Sequence, residues 1–307
     1  MNTDCLTHCL QASERQQFES QGYLVVADAI PPDQLKRISD ACDRLHDTKR
    51  QAGLGPHMPF SHGDIIGYDS VFVDMADCAA TFPKVWGILG WNIYLYHSHL
   101  DVTPPCDPNR STREPTVAWH QDSMRVNDEI ESSPRPRLSL KIGYFISDVS
   151  CPQRGNTLIV PGSHLQDHIE LAGDGQSNPP GAEPLCVSPG TAVLIDRRIW
   201  HSRSLNQSDM TRKVLWMGYS YRWLQPKDDM TVEHLYPQLD PIQRQILGDR
   251  VCNNGCYAPE ADDVPLRTWL GEHCPADAAW SRAGQRQSYP PDAANMIVSN
   301  QPGGQKR

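Results

Sequence analysis

Apolar residues fall at helical spacing near the start of the chain and at strand-like density through its middle. Ser13 to Gln21 carries helix-favouring residues, and Gly22 stops the run where a left-handed residue closes a helix. Tyr23 to Val26 then reads as a short buried strand. Pro31-Pro32-Asp33 opens a second predicted helix that runs to about Arg50, with Leu35, Ile38, Ala41, Cys42 and Leu45 on one face. From Asn92 the character changes. Ile93 to Leu100, Leu138 to Ile146, Thr157 to Val160, Thr191 to Ile195 and Lys213 to Tyr221 are rich in strand formers. Segments dense in Pro, Gly, Asp and Ser separate them, with no helical pattern between, which predicts an antiparallel sandwich or barrel. After Leu224 the pattern turns helical again, most clearly over His234 to Leu247.

This organisation predicts one domain over 1–307. Its β core spans about 90–225, with N-terminal helices over about 13–50, a helical extension over about 226–283 and a polar tail over about 284–307. No internal repeat is visible. The composition, 38% hydrophobic and 21% charged, suits a packed core under a soluble surface. A formal net charge of −9 argues against a nucleic-acid backbone or an anionic membrane as partner. No run approaches the roughly 18 apolar residues of a membrane span, and the first thirty residues lack the basic and apolar regions of a secretory signal. A cytoplasmic location is therefore the expectation. Of the ten cysteines none forms a Cys-x-x-Cys pair, so a zinc ribbon or thioredoxin-type site is not expected. Cys252 and Cys256 are spaced to close a small disulfide loop, although free thiols fit a reducing compartment better.

The candidate chemistry starts at Trp119-His120-Gln121-Asp122. On a strand, residues two apart face the same side, so His120 and Asp122 can bind one ion together. His201 follows the apolar run Ala192 to Ile195 and could supply a third ligand. Two imidazoles and one carboxylate on one octahedral face leave three open positions, the arrangement of iron(II) oxygenases. From these three residues alone, a metal site and an ordinary core histidine beside a turn aspartate both stay open. Arg212, eleven positions after His201, opens the strand RKVLWMGYSY, and a guanidinium there could pair with a buried carboxylate.

These residues resemble the phytanoyl-CoA dioxygenase family of 2-oxoglutarate oxygenases. The matching motifs are His120-Gln121-Asp122, the run Gly155 to His164 with its Pro-Gly-Ser-His turn, Gly190 with the strand to His201, and Asn206, Ser208 and Arg212. Pro241 to Gly248 is similar to a helix of many bacterial members, and the resemblance spans about Gln16 to Gly248. It implies a double-stranded β-helix, or jelly roll, with iron(II) on His120, Asp122 and His201, and with 2-oxoglutarate and O2 as co-substrates. It also implies that Arg212 binds 2-oxoglutarate and that Gln121, Tyr144 and His99 contact or wall the co-substrate. Two positions depart from the pattern: Arg203 stands where a small hydroxyl residue often helps, and Thr157 where many relatives have Leu. The Pro-Gly-Ser-His turn reads as structural at His164, with Ser163 as a capping residue.

The implied reaction is oxidation, above all hydroxylation, of a small organic molecule with release of succinate and CO2. Because Asp122 is a carboxylate, no position is vacated for chloride, so hydroxylation, desaturation or ring formation is expected rather than halogenation. A small secondary metabolite is preferred over a carrier-linked acyl chain, since no basic patch suited to coenzyme A phosphates stands out. The segments Ser123 to Arg137 and Thr103 to Pro115 are read as loops near the pocket, the first mostly a solvated one. Trp119, Trp200, Trp216 and Trp223 could wall an apolar substrate, although core packing is the default. Two rivals are a non-oxidative jelly-roll metalloprotein with the same triad, and a binding module in which the histidines are structural.

Overall fold

A computed structural model describes residues 1–109, 119–174 and 177–274. Among the described residues are nine strands: β1 Tyr23–Val26, β2 Phe60–Gly63, β3 Ile93–Thr103, β4 Ser139–Phe145, β5 Thr157–Ile159, β6 Glu183–Pro184, β7 Ala192–Asp196, β8 His201–Arg203 and β9 Arg212–Tyr221. Helices are α1 Ala12–Gln21, α2 Pro32–Gln51, α3 Ile65–Tyr68, α4 Phe82–Leu89, α5 Met124–Glu129, α6 Pro241–Ile246 and α7 Pro265–His273. A six-stranded sheet in the order β1-β7-β4-β9-β3-β2 faces a three-stranded one in the order β6-β5-β8. All the strand pairs are antiparallel. His120 extends the smaller sheet by bridging His201. This is the jelly roll that the family resemblance implies, and it fits the antiparallel sandwich that the pattern of strands and turns predicts.

The larger sheet has two apolar faces with different partners. Leu140, Ile142 and Tyr144 of β4 belong to a core shared with Ile38, Ala41 and Leu45 of α2 and with Phe82 and Trp86 of α4. Each such aliphatic side chain contributes roughly 2 kcal/mol when removed from water. Phe145, Val193, Ile195, Val214 and Trp216 turn the other way, toward Ile159 and Ile199, and fill the space between the sheets. Alternation along each strand thus assigns every residue to the helix side or to the interior, where the site lies.

Several elements differ from the pattern-based expectation for identifiable reasons. His234 to Leu247 is two pieces, a 3-10 turn over Glu233–Gln238 and then α6. Pro237 lacks a donor, and Asp240 caps α6 afresh through the amides of Ile242 and Gln243, with Pro241 at the first helical position. The segment after Asp122 is exposed at most of its positions up to Arg137, but it is anchored. Met124 and Arg125 are exposed, but Asn127 is buried and Arg137 pairs with Glu19 and Asp196. The other loop, Thr103 to Pro115, lies outside the described residues from position 110, and so does the tail beyond 274. Cys252 and Cys256 are both free thiols. Among the described residues no helix is long and apolar enough to cross a membrane.

Candidate metal centre

Two antiparallel hydrogen bonds of 3.0 Å join His120 and His201 through their own backbone amides and carbonyls. That bridge sets their rings 4.3 Å apart, centroid to centroid. Asp122, one pleat further on, is fixed by its amide to the Arg197 carbonyl at 2.9 Å. One ligand atom from each of His120, Asp122 and His201 lies within 4.8 Å of the others. The Nδ1 of His201 is 2.9 Å from the Ile199 carbonyl. A carbonyl accepts only, so Nδ1 carries the proton and the Nε2 lone pair is left for an ion. Burial pulls the His201 pKa down to about 4, which keeps the imidazole in its ligating neutral form at pH 7. Burial alone would raise the Asp122 pKa, but Lys141, His201 and Lys227 hold it far below the usual carboxylate range.

A cavity of about 220 Å³ joins these three residues to His99, Asp101, Lys141, Arg203, Arg212 and Trp216. That is below the roughly 300–1,000 Å³ of drug-sized sites and suits a small acid. Arg212 is 2% exposed and donates from Nη2 to Thr157 Oγ1 at 2.9 Å. Its Nε and Nη1 are buried without a hydrogen-bond partner among the described residues. Burial pulls its pKa down to about 10, so it stays a cation at neutral pH. Gly155 makes room for it: with φ at +71° and an added Cβ 3.1 Å from the Arg212 Cδ, this position needs glycine on both counts. Gly143 does the same for the cavity wall, since a Cβ there would meet the Trp216 ring at 2.7 Å.

The remaining residues drawn from the resemblance divide. His99 lines the cavity, stacked between His97 and Trp216 with ring centroids 4.5 and 6.2 Å away. Burial pulls its pKa down to about 3, and its Nδ1 is buried without a partner among the described residues. Tyr144 must be corrected. It lies on the helix side of β4, where its hydroxyl meets Thr81 Oγ1 at 2.6 Å and the Met75 carbonyl at 3.2 Å. Gln121 must be corrected too, because a residue between two same-face ligands points the opposite way. Its amide donates to the carbonyls of Gln166 and Arg198, and its Oε1 accepts from Arg135. Arg203 does enter the cavity, donating to Thr103 Oγ1 at 3.1 Å. Of the four tryptophans, only Trp216 lines this cavity. His164 is 1% exposed and packs under Gly22, and Ser163 Oγ accepts from the Trp200 amide at 2.9 Å. The turn therefore steadies the approach to His201.

Lys141 and Asp101 are charged cavity residues that motif reading missed. The Lys141 ammonium donates to Asp122 Oδ1 at 2.8 Å and lies 6.0 Å over the Trp216 ring. Burial opposes its charge, yet Asp122 holds its pKa above the ordinary lysine value. Asp101 accepts from Trp216 Nε1 at 3.2 Å and from Ser61 Oγ. Burial pushes its pKa up, but His99 and Arg212 bring it down on balance, so it is ionised.

Behind the ligands stands an ion-pair brace. Asp196, 0% exposed, accepts from Arg198 Nε at 2.9 Å, Arg198 Nη2 at 2.8 Å and Arg137 Nε at 2.6 Å. Arg137 also grips Glu19 at the end of α1. Arg197 reaches Asn127, whose amide donates to the Asp122 carbonyl at 3.1 Å. Burial works against the Asp196 carboxylate, but Arg198 and Arg137 lower its pKa to about 2. A depressed folded pKa adds stability that is complete above the unfolded value near 4 and fades as pH falls toward about 2, here about 2 kcal/mol. Asp196→Asn should therefore cost about 3 kcal/mol at pH 7, and that gap should narrow below pH 4. Denaturant unfolding of both proteins between pH 7 and pH 3 measures it, and a constant gap would refute the assignment.

The fold has relatives among solved structures. HygX from Streptomyces hygroscopicus, with nickel and 2-oxoglutarate bound, superposes with a TM-score of 0.57 at 15% identity, over 71% of this chain and 90% of that one. EctD from S. alaskensis in its apoform gives 0.53 at 20% identity, over 69% and 77%. SnoK, a non-heme alpha ketoglutarate dependent carbocyclase from nogalamycin biosynthesis, gives 0.52 at 19% identity, over 76% and 92%. No curated protein sequence matches the chain closely. The sequence model of the phytanoyl-CoA dioxygenase family, in contrast, matches residues 18–214, which include all three candidate ligands and Arg212. With this match added to the jelly roll and its buried triad, the chain belongs to the phytanoyl-CoA dioxygenase family and is a 2-oxoglutarate-dependent non-haem iron dioxygenase.

Proposed function

We propose that the chain acts as one catalytic unit that hydroxylates a small organic substrate, with iron(II) on His120, Asp122 and His201 and the distal carboxylate of 2-oxoglutarate on Arg212. One observation carries this reading: a His/Asp/His donor set shares a buried cavity with a guanidinium that has two unsatisfied nitrogens. Two imidazoles and a carboxylate suit iron(II), and the open positions they leave suit a bidentate co-substrate and O2. When bound, iron(II) with 2-oxoglutarate and O2 supplies the oxidation, sending one oxygen atom into succinate, formed with CO2, and the other into a substrate C–H bond.

The residues of this chain place and shield. The Ile199 carbonyl fixes the His201 tautomer, and the Arg197 carbonyl and Asn127 fix the Asp122 backbone. Arg212 sets the depth of the co-substrate, and His99, neutral and stacked on Trp216, lies alongside it. Trp216 packs closely over Gly143 and keeps water from that wall. Ten free thiols support a reducing, cytoplasmic setting. The test is anaerobic reconstitution with iron(II), then addition of 2-oxoglutarate, O2 and a panel of candidate substrates. Succinate should form only when iron and 2-oxoglutarate are both present, and the oxidised product should gain one oxygen by mass spectrometry. Loss of two hydrogens would indicate desaturation or ring closure. No iron-dependent succinate would return the non-oxidative metalloprotein as the better reading.

A further inference from the structure

We propose that Arg203 is a second co-substrate-binding residue, its guanidinium meeting the distal carboxylate of 2-oxoglutarate from the smaller sheet as Arg212 does from the larger. The proposal rests on the oxygenase reading above and adds a residue to that site. Strand alternation is its starting point. In β8, His201 and Arg203 share one face, so the arginine enters the cavity beside a metal ligand, while Ser202 is turned away and buried. Arg212 enters from the larger sheet, at the start of β9. A crossed pair of hydrogen bonds ties the two arginines across the gap between the sheets. Arg203 donates from Nη1 to Thr103 Oγ1 at 3.1 Å, and Thr103 is the strand partner of Arg212. Arg212 donates from Nη2 to Thr157 Oγ1 at 2.9 Å, and Thr157 is the strand partner of Arg203. Partnered residues have Cβ atoms about 5 Å apart, so each guanidinium is carried to the base of the other arginine.

That arrangement is costly without an anion. Arg203 is partly buried and Arg212 almost wholly so. Neither makes an ion pair among the described residues, and each guanidinium makes one hydrogen bond there, the one to threonine. Asp101, two positions before Thr103 on the same face of β3, lines the same cavity, with its carboxylate engaged by Trp216 Nε1 at 3.2 Å and by Ser61 Oγ. Two guanidiniums against one carboxylate leave one positive charge, which the distal carboxylate of the co-substrate matches. Like charges held together out of water destabilise the empty site, and a shared anion turns their repulsion into two charged contacts. The sequence carries the same pairing. Arg203 and Thr157 are the two positions noted above as departing from the family pattern, and they face each other in the ladder of β5 and β8. A leucine at 157 could not accept from Arg212, so the threonine holds that guanidinium in place while the second arrives from its own strand partner.

Protein loaded with nickel(II), which does not turn over, can be titrated by calorimetry with 2-oxoglutarate and with 2-oxopentanoate, which has a methyl group in place of the distal carboxylate. Arg203→Met should weaken 2-oxoglutarate roughly thirtyfold, the loss expected for a charged hydrogen bond. It should change the affinities for 2-oxopentanoate and for nickel(II) itself by less than about twofold, since neither reaches the distal end. Arg203→Gln, which can still donate to Thr103, should lose as much, and it decides the matter if the methionine variant folds poorly. The proposal is overturned if 2-oxoglutarate stays within about threefold of the parent in the variant that folds. It is also overturned if 2-oxopentanoate or nickel(II) weakens by the same factor as 2-oxoglutarate, as loss of a mere strut between the sheets would cause. Failure of the oxygenase reading looks different: the parent protein would itself take up neither nickel(II) nor 2-oxoglutarate, and the proposal would fall with it.

Discussion

Asp122→Asn should abolish iron-dependent succinate formation, a loss of roughly a thousandfold or more, equivalent to about 4 kcal/mol of transition-state stabilisation. The substitution keeps the shape of the side chain and removes the charge, so the effect isolates electrostatics. It should also destabilise the metal-free protein. Lys141 is buried with its ammonium 2.8 Å from Asp122 Oδ1, and an amide leaves that cation without a counterion. Breaking such a pair costs about 3 kcal/mol. Metal titration and denaturant unfolding separate the two consequences. An asparagine variant that binds iron(II) as tightly as the parent would show that the ion sits elsewhere.

Arg212→Met should raise the KM for 2-oxoglutarate by roughly a hundredfold, as expected for loss of a buried charged hydrogen-bond pair worth about 3 kcal/mol. At saturating co-substrate kcat should recover much of its parental value, because the guanidinium acts on binding rather than on the reacting atoms. Arg212→Lys should recover only part of the affinity, since a point charge cannot reproduce a two-pronged contact. Steady-state succinate kinetics with varied 2-oxoglutarate measures all three. A KM within threefold of the parent in Arg212→Met would move the co-substrate away from this end of the cavity and leave its two unsatisfied nitrogens unexplained.

The strands that build the site were legible because their apolar runs are long and bounded by turn residues, as in β3, β4 and β9. The short strand β8 was not, since three residues carry too little pattern; only His201 marked it. The ligands could be read from the two-residue spacing of His120 and Asp122, a property of strands that needs no tertiary information. The same alternation, applied to LSLKIGYFI, would have corrected Tyr144. Ser139, Lys141, Gly143 and Phe145 share the interior face, and Leu140, Ile142 and Tyr144 the helix face. Within a run so apolar, a lone lysine was the available signal for a cavity residue. The ion-pair brace could not have been anticipated, because Glu19, Arg137 and Asp196 are brought together only by the folded topology.

That brace bears on how the enzyme could be redesigned. The segment between Asp122 and β4 joins a candidate ligand to the strand that carries Lys141, and would be the natural place to transplant sequence from a relative with another specificity. In this chain it is also a tie rod: Asn127, Arg135 and Arg137 fasten it to the Asp122 backbone, to Gln121, to α1 and to the stretch leading into His201. A graft that swaps the visible residues and drops these anchors would leave Asp196 with Arg198 alone, take Arg137 away from Glu19 and slacken the ligands it was meant to leave alone. Donor loops would have to arrive with their anchors, or with replacements for Glu19 and Asp196 chosen to match.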